Sequence, residues 1–500
     1  MRNGILFTFL LGGALLKSEI GTPQEKTMNI LLFTADDLDR NSLGCYGSQV
    51  PDISPNIDRL AREGIRFSRA YVNNSICAPS RAILATGLYG HNSGVMGFMK
   101  MEEESRAPLI MELFRDQGYQ VGVLSKVDHS TPKKSFLWDF TIHEGDLGMG
   151  RSPSRYYQKT AEFLESCKVS GKPFYLMVNS NDPHRPFFNP REPLTHGMEK
   201  PSRIFQQNEI PIPGFLPELS AIREEVSYYY NSVKRLDDTF GKVMQALDES
   251  GFKENTLVIF LSDNGIAFPF AKCDNYYASN RTPWIARWPG VIRPGQVNDR
   301  HFIAEVDFLP TVIEAAGFTP PQTLDGVSRW PLYFGREQEN TGVIFTQIDN
   351  KAPGKPMPMR GIATPMRGVQ TDHYLYIYNA WVNGKRVYAN NNEGMTMEAM
   401  EKAAGQNQEI EKRVHFFRHR VPEEFYNLKE DPECLNNLVD DPAYAKPLND
   451  FRQKLVVQMQ KSNDPLLEIY LNRYDQDEIL SQLYRIYPNL KTVDKEGPGR

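Results

Sequence analysis

The chain has 500 residues, 40% of them hydrophobic and 11% aromatic, with a formal net charge of −5. That apolar content supports a large core and argues against global disorder. The length points to two domains, or one large α/β domain with a smaller companion. The mild negative charge argues against a nucleic-acid partner, which needs a basic face, yet leaves room for an anionic substrate in a local basic pocket.

The N-terminus joins Arg2 to an apolar run from Ile5 to Leu16. This run is short for a bilayer span and has the pattern of a secretory signal over residues 1–20. An exported protein, periplasmic or secreted, is expected ahead of a lysosomal one. No later stretch reads as a membrane span.

Four short apolar runs follow, each ending in polar residues. Asn29-Ile-Leu-Leu-Phe-Thr34 leads into Asp36-Asp37, and Tyr119 to Leu124 leads into Ser125-Lys126. Phe174 to Val178 leads into Asn179-Ser-Asn-Asp-Pro-His184, and Leu257 to Leu261 into Ser262-Asp263-Asn264-Gly265. Near-continuous apolar runs fit strands buried on both faces of a mostly parallel sheet, and ligands bind at the carboxyl ends of such strands. Helical patterns lie between them, at Asn56 to Gly64, Leu109 to Gly118 and Ala221 to Gly251. The alternation predicts an α/β catalytic domain over 27–355, its large central sheet flanked by helices. Beyond it, Gly368 to Asn379 reads as strands, Glu423 to Leu438 as a turn-rich connection, and the last sixty or so residues as charged helices. A smaller C-terminal α+β domain over 356–500 is expected.

Asp36, Asp37, Asp263 and Asn264 offer hard oxygen ligands and suit Ca²⁺ or Mg²⁺ better than zinc. Taken singly, each also fits a turn or a helix cap. In Ser75-Ile-Cys-Ala-Pro-Ser-Arg81, Pro79 suits a first helical turn. The free N–H groups there, with the fork of Arg81, favour an anion beside Cys77. A buried structural cysteine fits the same stretch. The five cysteines, Cys45, Cys77, Cys167, Cys273 and Cys434, show no CxxC or zinc spacing. Two N-glycosylation sequons begin at Asn73 and Asn280, and a glycan at the first would crowd Cys77.

Cys77-Ala-Pro-Ser-Arg81 followed by Thr86-Gly87 resembles the signature of the type I, formylglycine-dependent sulfatases. The likeness extends to Asp36-Asp37, to Lys126 and His129, to Asp182-Pro-His184, to Ser262-Asp-Asn-Gly265 with a later basic residue, and to Tyr374-Leu-Tyr-Ile-Tyr378 and Glu423-Glu-Phe-Tyr-Asn-Leu428. Asn181 to Pro186, Ser262 to Pro269 and Gly251 to Phe260 look most like the N-sulfoglucosamine sulfohydrolase branch. The resemblance implies an alkaline-phosphatase-like sulfatase fold and one Ca²⁺ held by Asp36, Asp37, Asp263, Asn264 and the modified Cys77. It implies that Cys77 becomes formylglycine through a formylglycine-generating enzyme. It gives Arg81 and Lys126 the task of steadying that group and the sulfate, and Lys272 the binding of sulfate. His129 would assist the aldehyde hydrate, and His184 would face the leaving group.

The implied chemistry is attack of the hydrated aldehyde on sulfur, protonation of the leaving atom by His184, and expulsion of sulfate by the second hydroxyl. The substrate class is a sulfated glycan, in first place N-sulfoglucosamine of heparan sulfate. An O-sulfatase, a phosphoesterase or phosphonate hydrolase, and an inactive carbohydrate-binding relative stay open, as does a homodimer. Two features depart from the family pattern. His129 lies one residue beyond the Gly-Lys-x-His spacing, and Ala85 replaces a bulky residue before Thr86-Gly87. Arg185 and Arg281 are basic neighbours to which no role is assigned.

Overall fold

The computed structural model describes residues 27–340, 342–351, 363–391 and 393–496. The expected signal at 1–20 and the expected boundary at 355/356 lie outside them. Among the described residues the strands are, in chain order, β1 (Asn29–Asp36), β2 (Ile65–Phe67), β3 (Ala70–Tyr71), β4 (Gln120–Leu124), β5 (Phe140–Ile142), β6 (Phe174–Pro183) and β7 (Thr256–Ser262). They continue as β8 (Trp284–Arg287), β9 (Gln296–Asn298), β10 (Ile303–Ala304), β11 (Ile344–Ile348), β12 (Met366–Gln370), β13 (Tyr374–Asn379) and β14 (Glu423–Asn427).

The large sheet has the order β5-β4-β6-β1-β7-β8-β2-β9. β4, β6, β1 and β7 are contiguous and parallel, with Ile30 opposite both Tyr175 and Leu257. β8 runs antiparallel to β7. All eight residues of β1 are buried, and its side chains divide between two cores. Leu31 and Phe33 pack with Phe163, Val226 and Val233 from the Pro153–Ser170 and Ser220–Ser250 helices. Ile30 and Leu32 pack with Ala82, Phe114 and Leu309 from the Cys77–Thr86, Ile110–Asp116 and Phe308–Ala315 helices. Helices on both faces explain why the run is apolar without alternation. Each such side chain contributes about 1.5–3 kcal/mol by burial.

The second sheet, β11-β12-β13-β14, is antiparallel throughout. One face, with Tyr376, Tyr378 and Phe425, packs on Leu448, Phe451 and Leu455 of the Ala445–Lys461 helix. The other, with Leu375, Ile377 and Tyr426, joins the core that also holds Leu31 and Phe33. The expected turn-rich connection therefore opens with an edge strand, β14. Its alternation was hidden by Glu424, which points inward and accepts hydrogen bonds from Tyr276 Oη at 2.8 Å and Asn379 Nδ2 at 2.7 Å. β6 likewise outruns its apolar segment, carrying Asn179–Pro183 in strand form.

Candidate active site

β1 and β7 end together, with Ala35 opposite Ser262. Beyond that point Asp37 adopts a left-handed backbone, φ 69°, which turns the chain across the strand end. Its N–H donates to Asp263 Oδ1 at 3.2 Å, and the next N–H, of Leu38, donates to Ser262 Oγ at 3.0 Å. Adjacent strand ends thus bring the acidic pairs together, and Asp36, Asp37, Asp263 and Asn264 are all fully buried.

Cys77 opens the Cys77–Thr86 helix, which Gly87 closes at φ 65° with its N–H on Ile83 O. Asn74 Oδ1 accepts the N–H of Ile76 at 3.1 Å just before the helix. Cys77 Sγ lies 3.5 Å from Asp36 Oδ1. One turn later Arg81 falls on the same face. Its Nε and Nη2 lie 3.0 and 2.8 Å from Asp263 Oδ2. Its Nη1 donates to Thr34 Oγ1 at 2.9 Å and Asn179 Oδ1 at 2.5 Å. Sequence reasoning missed Thr34 and Asn179, though each is a polar residue ending an apolar run and the two are register partners. It also missed Glu305, a buried acid that accepts from Ser80 Oγ and from Asn73 N.

Ser125 and Lys126 both take positive φ at the end of β4, and the Lys126 ammonium pairs with Asp36 Oδ2. Lys272 Nζ lies 2.5 Å from Asp37 Oδ1. His184 Nε2 is 3.9 Å from Asp37 Oδ2, and its Nδ1 donates to the Arg185 carbonyl at 2.5 Å. Ligand atoms of Asp36, Asp37, Cys77 and His184 all fall within 4.8 Å of one another. His129 stands apart. It sits on the short Val127–Ser130 helix with its ring 5.7 Å from Phe98 and its Nδ1 unpartnered, and no hydrogen bond or ion pair joins it to the acids. Arg185 is committed to Glu225 and the Ala267 carbonyl, and Arg281 lies over the Tyr277 ring at 4.8 Å. Both sequon asparagines are framework residues. Asn73 is 1% exposed and bonds Phe345 O and Val306 N, and Asn280 is fully buried.

Three carboxylates, Asp36, Asp37 and Asp263, thus face three cations, Arg81, Lys126 and Lys272. Burial pushes the Cys77 thiol well above its usual range, and the three acids push it further against the pull of Lys272. Burial would raise Asp36, but Lys126, His184, Lys272 and Arg81 together hold it well below the carboxylate range. Asp263 goes the other way, to about 7, through burial and the charge of Asp36. Burial and Lys272 lower His184, and burial with Lys126 takes His129 down to about 4. Burial works against the charged forms of Lys126 and Lys272, yet Asp36 keeps the first ammonium charged and Asp37 the second.

The donor set fits a hard divalent cation. Asp37 Oδ2 and Asn264 Oδ1 are buried oxygens that accept no hydrogen bond, a costly condition that a cation relieves. Asn264 turns Nδ2 toward Asp37 Oδ1, at 2.8 Å; ligation by its oxygen requires a half-turn of the amide.

Residues 28–318 match the family model described as Sulfatase, and residues 269–382 match N-sulphoglucosamine sulphohydrolase, C-terminal. The chain is 26% identical over 493 residues to N-sulphoglucosamine sulphohydrolase of Homo sapiens, covering 89% of this chain and 92% of that one. It is 28% identical over 431 residues to an ulvan-active sulfatase of Formosa agariphila, covering 86% and 79%. A solved structure of a protein with its substrate D-glucosamine-2-N,6-O-disulfate shares the fold at TM-score 0.64 and 19% identity, over 88% of this chain and 99% of that one. So does the phosphonate monoester hydrolase of Agrobacterium radiobacter, at TM-score 0.64 and 18% identity, over 87% and 96%. With the family's sequence pattern running from β1 through the Phe308–Ala315 helix, and with its acids and cysteine gathered at the carboxyl ends of the central strands, the chain belongs to the sulfatases, hydrolases of sulfate esters or sulfamates.

Proposed function

We propose that the protein removes sulfate from a sulfated glycan, with N-sulfoglucosamine units of heparan sulfate as its substrate, after conversion of Cys77 to formylglycine. The observation that carries this reading is Cys77 Sγ at 3.5 Å from Asp36, inside a cluster of three acids and three cations. The C-terminal match to the N-sulphoglucosamine sulphohydrolase model supports the N-sulfate preference.

In this reading formylglycine at position 77 supplies the oxygen nucleophile, and one Ca²⁺ on Asp36, Asp37, Asp263 and Asn264 supplies positive charge beside it. Lys126 and Lys272 offset the charge of the sulfuryl oxygens. Arg81 acts through Asp263, whose carboxylate it holds by two nitrogens. His184 protonates the leaving atom. Its side chain is 35% exposed, against 13% for Lys126 and 10% for Lys272, so the leaving sugar has its way out past the imidazole. A sulfamate nitrogen leaves well only when protonated, so this acid matters most there. His129, neutral at ordinary pH, assists the aldehyde hydrate from the neighbouring turn.

The enzyme acts outside the cytoplasm, in a periplasm or secreted, and matures through a formylglycine-generating enzyme. The buried sequon asparagines favour a host that does not glycosylate them. No helix among the described residues is long and apolar enough to cross a membrane. The division into 27–355 and 356–500 and the single Ca²⁺ belong to the same reading, and a homodimer is compatible with it. A second reading, phosphonate or phosphate monoester hydrolysis, is favoured only by the shared fold.

Mass spectrometry of the peptide spanning Cys77 tests the modification, and sulfate release from N-, 2-O-, 3-O- and 6-O-sulfated glucosamines tests the substrate. Release from O-sulfated sugars alone would overturn the N-sulfate reading. Release of phosphate or phosphonate in preference would overturn the sulfatase chemistry at this site.

A further inference from the structure

We infer that Arg151 is a positioning residue for His184: it anchors the main-chain carbonyls on which the imidazole rests and thereby sets where Nε2 points. The inference rests on the reading of His184 as the group that protonates the leaving atom.

Arg151 is 6% exposed. Its Nη2 donates to the carbonyl of His184 at 2.9 Å, and more weakly to those of Arg185 at 3.4 Å and Asn181 at 3.5 Å. The Arg185 carbonyl is also the acceptor for His184 Nδ1, at 2.5 Å. One oxygen therefore joins the guanidinium to the imidazole. That bond keeps the hydrogen on Nδ1 and presents Nε2 toward Asp37, 3.9 Å away.

The anchor is itself held. Arg151 Nε lies 3.5 Å from Asp182 Oδ1. Arg235 grips the same carboxylate with Nε at 2.7 Å and Nη2 at 2.9 Å, and its Nη1 donates to the Glu199 carbonyl at 2.9 Å. Glu199 N returns a bond to Arg151 O at 3.0 Å, which closes the ring. Gly150 removes the slack: with φ 70°, a Cβ there would sit 2.5 Å from Asn181 Cγ. Arg151 Nη1 donates to Met149 O at 3.2 Å. With its nitrogens turned to the chain itself, Arg151 acts through His184 and not as a sulfate contact.

A purely structural arginine and a positioning one differ in how their loss depends on the leaving group. 4-Nitrophenyl sulfate releases a stable phenolate and needs little proton donation, whereas a sulfated glucosamine needs it fully. Protein produced with the aldehyde-forming enzyme is assayed on both substrates as wild type, Arg151→Met, Arg151→Lys and His184→Ala. Arg151→Met is expected to lower kcat on the sulfated sugar on the order of 10- to 100-fold, while kcat on 4-nitrophenyl sulfate and both KM values stay within about threefold. Arg151→Lys recovers part of the loss. Equal losses on both substrates in Arg151→Met, with His184→Ala still selective, would overturn the inference. Equal losses in His184→Ala would instead overturn the acid role of His184. If Arg151→Met does not fold, Gly150→Ala presses on Asn181 without removing a charge and is read in the same way: selective loss supports positioning, and uniform loss rejects it.

Discussion

Two buried ion clusters, built from the same residue types, sit in different parts of this protein. In the C-terminal sheet Arg367 is fully buried and saturated. Its Nε donates to Asp464 Oδ2 at 2.5 Å, its Nη2 lies 3.1 Å from both Asp349 Oδ1 and Asp464 Oδ1, and its Nη1 takes the carbonyls of Ile348 and Met366. At the end of β1 three acids meet three cations, yet Asp37 Oδ2 and Asn264 Oδ1 accept no hydrogen bond. The first cluster ties β12 to the chain at residues 349 and 464, with every guanidinium nitrogen of Arg367 partnered and Asp349 Oδ2 left without a donor. The second leaves a buried carboxylate oxygen and an amide oxygen without a donor, which is the condition for receiving a cation. The contrast lies in placement: Asp37 Oδ2 and Asn264 Oδ1 come from neighbouring strand ends and gather beside Cys77, whereas Asp349 Oδ2 sits in an arginine-centred tie.

The sharpest break between the two comes from Cys77→Ala. Sulfate release should fall at least about 10⁴-fold, with the melting temperature little changed, because the hydrogen bond lost with Sγ is a long one, 3.5 Å to Asp36. Sulfate assays beside melting curves check this, and retained turnover would defeat the reading of Cys77.

Arg367→Met tests the other cluster. It strands Asp349 and Asp464 in the interior and should cost about 3–5 kcal/mol, read in denaturant unfolding, while kcat per folded molecule is preserved. A third effect is smaller. Ca²⁺ at about one hundred times its Kd should stabilise the protein by about 2.7 kcal/mol and raise its melting temperature. Asp36→Asn and Asp263→Asn should each weaken that shift, and Arg367→Met should retain it. No shift with Ca²⁺ or Mg²⁺ would remove the metal from the account.

The last effect is in pH, where Asp263 and Asp464 should differ in sign. Burial and Asp36 raise Asp263 from 3.8 to about 7. Between those values the metal-free folded chain keeps a proton that the unfolded chain releases, so stability falls as pH rises through this window. The same proton competes with the cation, whose affinity should rise about tenfold per pH unit up to about 7. Burial raises Asp464, but Arg367 outweighs it and leaves its carboxyl below 3.8. Its contribution is present above the unfolded value and is lost as pH falls through the lower folded value. Melting curves against pH in chelator, for wild type, Asp263→Asn and Asp464→Asn, separate the two. Curves that move in parallel would erase the contrast.

Much of this site was legible because its residues lie next to their own structural signals. Asp36, Lys126, His184 and Asp263 each follow an apolar run, and Cys77 and Arg81 share one helix face beside a proline and ahead of a closing glycine. Thr34 and Asn179 are single polar residues whose importance comes from facing each other across β1 and β6. Arg151 lies in a turn, and its partners are main-chain carbonyls more than one element away. β14 escaped notice because Glu424 occupies an inward position that the pattern reserves for an apolar residue.

Local order along the chain determined by itself which segments become buried strands, where they stop, and which chemical groups stand at their ends, because periodicity and helix stops act over a few residues. Only the packed fold decided how those groups divide their charges: Asp263 to Arg81, Asp36 to Lys126 and Asp37 to Lys272. It also turned the Asn264 amide nitrogen toward Asp37 and left His129 Nδ1 without a hydrogen-bond partner. Those choices depend on distance and desolvation between residues far apart in sequence, and a few ångströms in a buried site change which partner a charge finds.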